Sequence, residues 1–169
     1  MCDIVLLVYD QLAYTKGCVE SILKNTDCPY RLLIIDNGSV KEETLQYLDT
    51  LARTRPDRIS VLRNERNIGY VRAVNYGLSQ TTGQYVCVIS NDTLVYPGWL
   101  SELVATAEKD SSIGLVNPQW MIPKRFYGSK DTYFKKVVHR QQGASIETDW
   151  ARGFCFLVTR RVLDKIGGV

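Results

Sequence analysis

The chain has 169 residues, 45% hydrophobic and 23% charged, with a formal net charge of +3. That length suits one domain with an ordinary core, and the small, scattered positive charge argues against nucleic acid as a partner. Five cysteines without paired spacing and a single histidine exclude a disulfide framework and a multi-histidine zinc site, and they fit a reducing compartment.

Residues 3–9 are a continuous apolar run, as expected of a buried strand. Its aliphatic part, 4–8, is far too short to span a bilayer, and no secretory leader is visible. A cytoplasmic protein is expected, with room for peripheral contact at the inner face of a membrane. Residues 14–25 place Cys18, Val19, Ile22 and Leu23 on one helical face, and 31–35 read as a second buried strand. Residues 41–55 form a helix with Leu45, Leu48, Leu51 and Ala52 inward, closed by a turn at Pro56-Asp57. A strand at 59–62 and a helix at 70–79 carrying Val71, Val74 and Leu78 follow. Then come a strand at 85–89, a helix at 98–109 with Leu100, Leu103, Val104 and Ala107 inward, and a strand at 113–117. The alternation predicts an α/β fold, a mainly parallel sheet with helices on both faces. Residues 119–144 have no clear period and read as a long irregular or hairpin segment, while 153–159 and 160–166 restore a strand and a short helix. Cys87 and Cys155 sit in apolar runs and read as core thiols.

The chemistry is concentrated where strands end. Ser90-Asn91-Asp92-Thr93 follows an apolar strand and puts a carboxylate at the carboxyl edge of the sheet, where open α/β folds bind ligands. Asp92 there serves either as a turn carboxylate or as a ligand for a hard divalent cation that in turn holds a phosphate. Asp36-Asn37-Gly38-Ser39 ends the second strand. An Asn-Gly pair favours a hairpin turn, but a helix follows, so this is a strand-to-helix loop on the same edge. Tyr9 and Asp10 close the first strand, and Tyr9 suits stacking on a base as well as packing on the next helix. Residues 64–72 lead into a helix whose first amides are free to meet an anion, with Arg72 either reaching a phosphate or simply solvated. Neither a GxGxxG nor a Walker A sequence occurs, which removes the commonest phosphate loops. The lone His139 is a weak metal ligand candidate.

Four blocks, DIVLLVYDQLAYTKGCVESIL, LLIIDNGSVKEE, NERNIGYVRAVNYGL and YVCVISNDTLVYPGWL, occur in an order and spacing that resembles the nucleotide-binding part of family 2 glycosyltransferases. The resemblance implies a Rossmann-like GT-A fold in one domain over 1–169, with 1–117 binding the nucleotide-sugar and 118–169 opening the acceptor side. It implies an inverting, hexosyltransferase-type transfer from a nucleotide-sugar to a glycan or lipid-linked acceptor, assisted by Mn²⁺ or Mg²⁺, with polysaccharide biosynthesis as the setting. Tyr9, Asp10, Asp36, Asn37, Asn67, Gly69, Arg72, Ser90 and Asn91 map to nucleotide binding, Asp92 to the metal, and Arg152 and Gly153 to the acceptor side. Ser90 stands where many members carry Asp, leaving Asp92 the triplet's one carboxylate. The family's acidic catalytic-base motif follows a Gly-Gly pair, here Gly167-Gly168, so the base is expected beyond Val169 and this chain as a weakly active or inactive fragment. A binding module without catalysis is the alternative. A nucleotidyltransferase lacks support because residues 9–16 hold no Gly-rich basic loop, and a phospho-receiver would need an acidic pair where Asp10 stands alone.

Overall fold

A computed structural model of the chain describes residues 1–118 and 144–168. Its strands are β1 (Cys2–Val8), β2 (Tyr30–Asp36), β3 (Ile59–Arg63), β4 (Tyr85–Ser90), β5 (Leu115–Val116) and β6 (Cys155–Thr159). The helices are α1 (Leu12–Asn25), α2 (Glu42–Thr54), α3 (Tyr70–Ser79), α4 (Trp99–Glu108) and α5 (Arg160–Ile166). The sheet runs β3-β2-β1-β4-β6-β5, and its first four strands are parallel.

The central strands are mainly apolar because both faces are covered; the fully buried Asp3 of β1 is the exception, paired with Arg31 of β2 at 3.0 Å. Along β1, Ile4, Leu6 and Val8 join one core with Cys18, Val19 and Ile22 of α1, Leu48 and Leu51 of α2, and Leu100 and Leu103 of α4. Val5 points the other way, into a core with Val74 and Leu78 of α3 and Leu163 of α5. Successive strand residues face opposite sides, so a doubly covered strand favours an apolar side chain at nearly every position. Cys87 and Cys155 lie in the first core, 3.9 Å apart at sulfur, as free thiols.

The structure corrects two expectations. The strand expected at 113–117 does not extend the parallel series beside β4. Only Leu115–Val116 pair, and their partner is β6, which is inserted between β4 and β5 and runs antiparallel to both. Strand order cannot be read from alternation when a later strand returns into the middle of the sheet. Val71, expected inward on α3, is 55% exposed. It shares a stripe with Leu78 but lies in the first turn of α3, before that helix reaches the sheet, and it lines a surface cavity with Leu115, Arg152 and Phe156. The segment expected to be irregular, and His139 within it, lies outside the described residues apart from Ala144. No helix among the described residues is long and apolar enough to cross a membrane.

Candidate functional site

The order β3-β2-β1-β4 reverses direction between β1 and β4, so the chain leaves those two strands in opposite directions across the sheet. A crevice opens at such a switch point, outside the carboxyl ends of the strands. The register aligns those ends, with Val8 opposite Asp36, Asp36 opposite Arg63, and Leu7 opposite Ser90. The loops beginning at Tyr9, Asn37, Asn64 and Asn91 therefore leave from one edge.

Each loop is fixed by polar groups from its neighbour. Asp10 and Gln11 both have positive φ, 50° and 55°. That strained pair turns the chain from β1 into α1 and aims the Asp10 side chain at the next loop. Its carboxylate accepts the backbone N–H groups of Val40 and Lys41 at 3.1 and 3.0 Å, and its own N–H donates to Ser39 Oγ at 2.8 Å. A negative charge at the start of α2 also meets the positive end of that helix. Asp36 is fully buried. One of its oxygens accepts the Ser39 N–H at 2.9 Å and the other accepts Arg63 Nε at 2.7 Å. Arg63 also reaches Asp49, at 3.1 Å.

Asn37 builds the wall formed by residues 64–69. Its Oδ1 accepts Asn64 Nδ2 at 3.0 Å and the Ile68 N–H at 3.2 Å, while its Nδ2 donates to Asn67 Oδ1 at 3.0 Å. Asn67 Oδ1 takes the Gly69 N–H as well, at 2.9 Å. Gly38, at φ +82°, lies against this wall so tightly that a Cβ there would sit 2.6 Å from both Arg66 Cα and Asn67 N. No side chain caps α3, and Arg72 is exposed in its first turn.

At the end of β4 the three residues diverge. Asn91 turns back to α1, donating to Thr15 Oγ1 at 3.0 Å. Ser90 is half-buried, and its hydroxyl meets the Tyr70 side chain, where burial raises the phenol pKa and the Ser90 hydrogen bond opposes that rise. Asp92 is exposed, and no hydrogen bond or ion pair among the described residues engages its carboxylate. Tyr70 Oη donates to Gly153 O at 2.7 Å, which draws residues 151–153 beside the crevice. Asn117 holds the same stretch, accepting the Arg152 N–H at 2.8 Å and donating to the Arg152 and Cys155 carbonyls. The Arg152 guanidinium stacks 5.0 Å from the Trp150 ring centre.

The site residues read from sequence thus fall into two sets. Tyr9, just past the carboxyl end of β1, is 47% exposed, and Arg72 and Asp92 also face solvent. The Asp10 and Asp36 carboxylates, and most of Asn37, are taken up in fixing loops. Sequence reasoning passed over Thr15, Ser39, Arg63 and Tyr70, whose contacts join segments distant in the chain. Among the described residues no group of three or more His, Cys, Asp or Glu side chains could hold a metal ion. The donor set fits only an ion that takes one protein carboxylate, Asp92, and completes its shell from phosphate oxygens and water, as Mg²⁺ commonly does.

The family model described as glycosyl transferase family 2 matches residues 3–167. An uncharacterized protein, y4gI, of Sinorhizobium fredii is 26% identical over 99% of this chain, which spans 20% of its length. Two solved structures share the fold over 99% of the chain. One is the mannosyltransferase PcManGT of Pyrobaculum calidifontis in complex with GDP-Man and Mn²⁺, at a TM-score of 0.73 and 20% identity, covered over 46% of its length. The other is GalNAc-T7 with UDP, GalNAc and Mn²⁺, at 0.69 and 19% identity, covered over 36% of its length. The fold is of the GT-A type, with six strands mostly parallel and flanked by helices.

Proposed function

Since the chain belongs to glycosyl transferase family 2, we propose that it forms the donor-binding part of an inverting glycosyltransferase that uses a nucleotide-sugar and a divalent cation. The observation that carries this reading is Asp92, a carboxylate unpaired among the described residues, at the end of β4 and beside the β1–β4 switch point. Its neighbours Asp10 and Asp36 have their charges met by backbone N–H groups or arginine. Mn²⁺ in both structural neighbours, with GDP-Man in one and UDP in the other, supports a cation beside a nucleoside diphosphate.

The roles follow from position. Tyr9 offers a ring for the base at the end of β1. Asn37 and Asn67 set the wall of residues 64–69, and Gly69 starts α3 so that its first amides and Arg72 face the phosphates. Asp92 is the one side chain here that would hold Mn²⁺ or Mg²⁺. The bound ion would stabilise the negative charge that develops on the leaving diphosphate. In the transfer, an acceptor hydroxyl oxygen bonds to the anomeric carbon as the bond from that carbon to the phosphate oxygen breaks. The nucleoside diphosphate leaves and the hydroxyl proton passes to a general base. Arg152 and Gly153, drawn to the crevice by Tyr70 and Asn117, form the side from which a glycan or lipid-linked acceptor approaches.

The test is calorimetric titration with uridine, guanosine and thymidine diphosphates, each with and without Mn²⁺. At least one should bind more tightly with Mn²⁺, and Asp92→Ala should abolish that increment while its melting temperature stays within about 2 °C of the parent. If Mn²⁺ tightens none of the three, the cation-dependent donor site is wrong.

A further inference from the structure

Among the described residues, α1 and its C-cap Thr26 make a series of hydrogen bonds to the segment that carries Asp92. Thr15 Oγ1 accepts Asn91 Nδ2 at 3.0 Å, and Cys18 Sγ approaches Ser90 O at 3.7 Å. Ser21 Oγ accepts the Val95 N–H at 3.1 Å, Asn25 Nδ2 donates to Val95 O at 2.9 Å, and Thr26 Oγ1 accepts Trp99 Nε1 at 3.0 Å. Thr15, Cys18, Ser21 and Asn25 recur every three or four positions, the spacing that keeps side chains on one face of a helix, and Thr26 is the C-cap that follows. The stripe thus runs the length of α1 and ties down the chain on both sides of Asp92, at residues 91 and 95. Between the anchors, Asp92 and Leu94 project outward. Asp92 stays close enough to Cys18 for its charge to add to the upward shift of that thiol, after burial and Cys155.

Generic packing of a loop on a helix needs apolar contact, and Val95, Leu100 and Ile22 already provide it in the same core. The polar stripe adds direction. It anchors both ends of the five-residue span 91–95, whose carboxylate has no other partner among the described residues. Thr15 also donates to Asp10 O at 3.4 Å, and Asp10 in turn holds residues 39–41. The stripe is thereby joined to the β2 side of the crevice.

We propose that Thr15, Ser21 and Asn25 are positioning residues for Asp92, holding its carboxylate where it takes a divalent cation bound to a diphosphate. The inference rests on the proposed cation-dependent donor site. Groups that orient a metal ligand typically contribute tenfold or more to metal affinity when removed, although none of them touches the ion.

The variants are Thr15→Val, Thr15→Ser, Ser21→Ala and Asn25→Ala. Each is titrated with uridine, guanosine and thymidine diphosphates, with and without Mn²⁺, and its melting temperature is recorded. The quantity read is the ratio of affinities with and without the ion. We expect Thr15→Val, Ser21→Ala and Asn25→Ala each to reduce that ratio by about tenfold with metal-free affinity kept, and Thr15→Ser to restore it. Thr15 is fully buried and its valine variant can misfold, whereas Ser21 and Asn25 are half-exposed and carry the test alone. An unchanged ratio in Ser21→Ala and Asn25→Ala overturns the inference. So does an equal loss with and without Mn²⁺, since that marks a general structural role. A parent with no Mn²⁺ increment removes the donor-site reading and this inference together, a result distinct from an increment that the variants leave intact.

Discussion

Replacing Gly38 by alanine separates two causes that the loop after β2 combines. Gly38 has φ +82°, a conformation that costs an L-residue about 1–2 kcal/mol. A Cβ there would also sit 2.6 Å from Arg66 Cα and from Asn67 N. Backbone cannot swing aside as a side-chain tip can, so the overpacking cost should be about 1–3 kcal/mol. Together the change should destabilise by about 2–5 kcal/mol, and for a chain of this size the melting temperature should fall by about 4–20 °C. Gly69 is the control, with φ +85° and nothing within 4 Å of its added Cβ. Gly69, at φ +85° and ψ 160°, lies in a region that only glycine adopts freely, so Gly69→Ala should cost the conformational part alone, about 1–3 kcal/mol, or about 2–12 °C. The entropy that alanine removes from the unfolded chain is shared by both variants and cancels in the comparison. Paired thermal melts give the difference, and Gly38→Ala should in addition weaken nucleoside diphosphate binding by displacing residues 66–67. If the two variants melt within about 2 °C of each other, the loops do not bear on one another as described.

Further expectations follow from the other polar anchors. Arg63→Met leaves the fully buried Asp36 carboxylate with the Ser39 N–H alone, and should cost about 2–3 kcal/mol, somewhat less than the roughly 3–5 kcal/mol of a fully buried pair because Arg63 is 39% exposed. A denaturant midpoint equal to the parent's would refute it. Asp10→Ala should lose about 0.5–2 kcal/mol from the uncapped Val40 and Lys41 amides, and Asp10→Asn, which keeps an acceptor, should lose less; equal losses would show that the charge rather than the acceptor matters. Burial pushes the Cys2 and Cys18 thiols up to about 12, from an ordinary value of 9.0. The unfolded chain therefore gives up these protons first, so their contribution is full below about pH 9 and is lost as pH rises toward 12. That loss amounts to up to about 4 kcal/mol per thiol. Urea melts from pH 8 to 11 should show it, with a shallower slope for Cys2→Ala; an identical slope would dispose of the argument.

Much of this was legible in the chain because the strands announce themselves. A sheet covered on both faces needs uninterrupted apolar runs, and 3–9, 31–35 and 85–89 supply them. The edge strands gave less. β3 has only Ile59 fully buried, and β5 is two residues long. Its position depends on β6, which begins at Cys155, 40 positions after Leu115, inserting between it and β4. No local pattern records an insertion of that kind. The helical faces were readable by period, yet the period also concealed the polar stripe of α1. Thr15, Ser21 and Asn25 interleave with Cys18 and Ile22, and a reading that seeks apolar positions discards them as solvent-facing.

The same asymmetry decides which carboxylate is free. Asp10, Asp36 and Asp92 all follow a strand on one edge, and their identity alone assigns them equally to binding. A buried or half-buried carboxylate is retained where donors meet its charge. β1 and β2 lie side by side, and the loop after β2 passes close enough for its Ser39, Val40 and Lys41 amides to point at Asp36 and Asp10. On the other side of β1 the sheet order reverses. The neighbour of β4 there is β6, which runs antiparallel and brings the Phe154 carbonyl to the Ser90 N–H, an acceptor rather than a donor. Among the described residues Asp92 is left without amide partners because of the strand it follows. Among the described residues the topological switch thus also leaves the Asp92 carboxylate unpaired, which is what the proposed cation-dependent donor site requires of it.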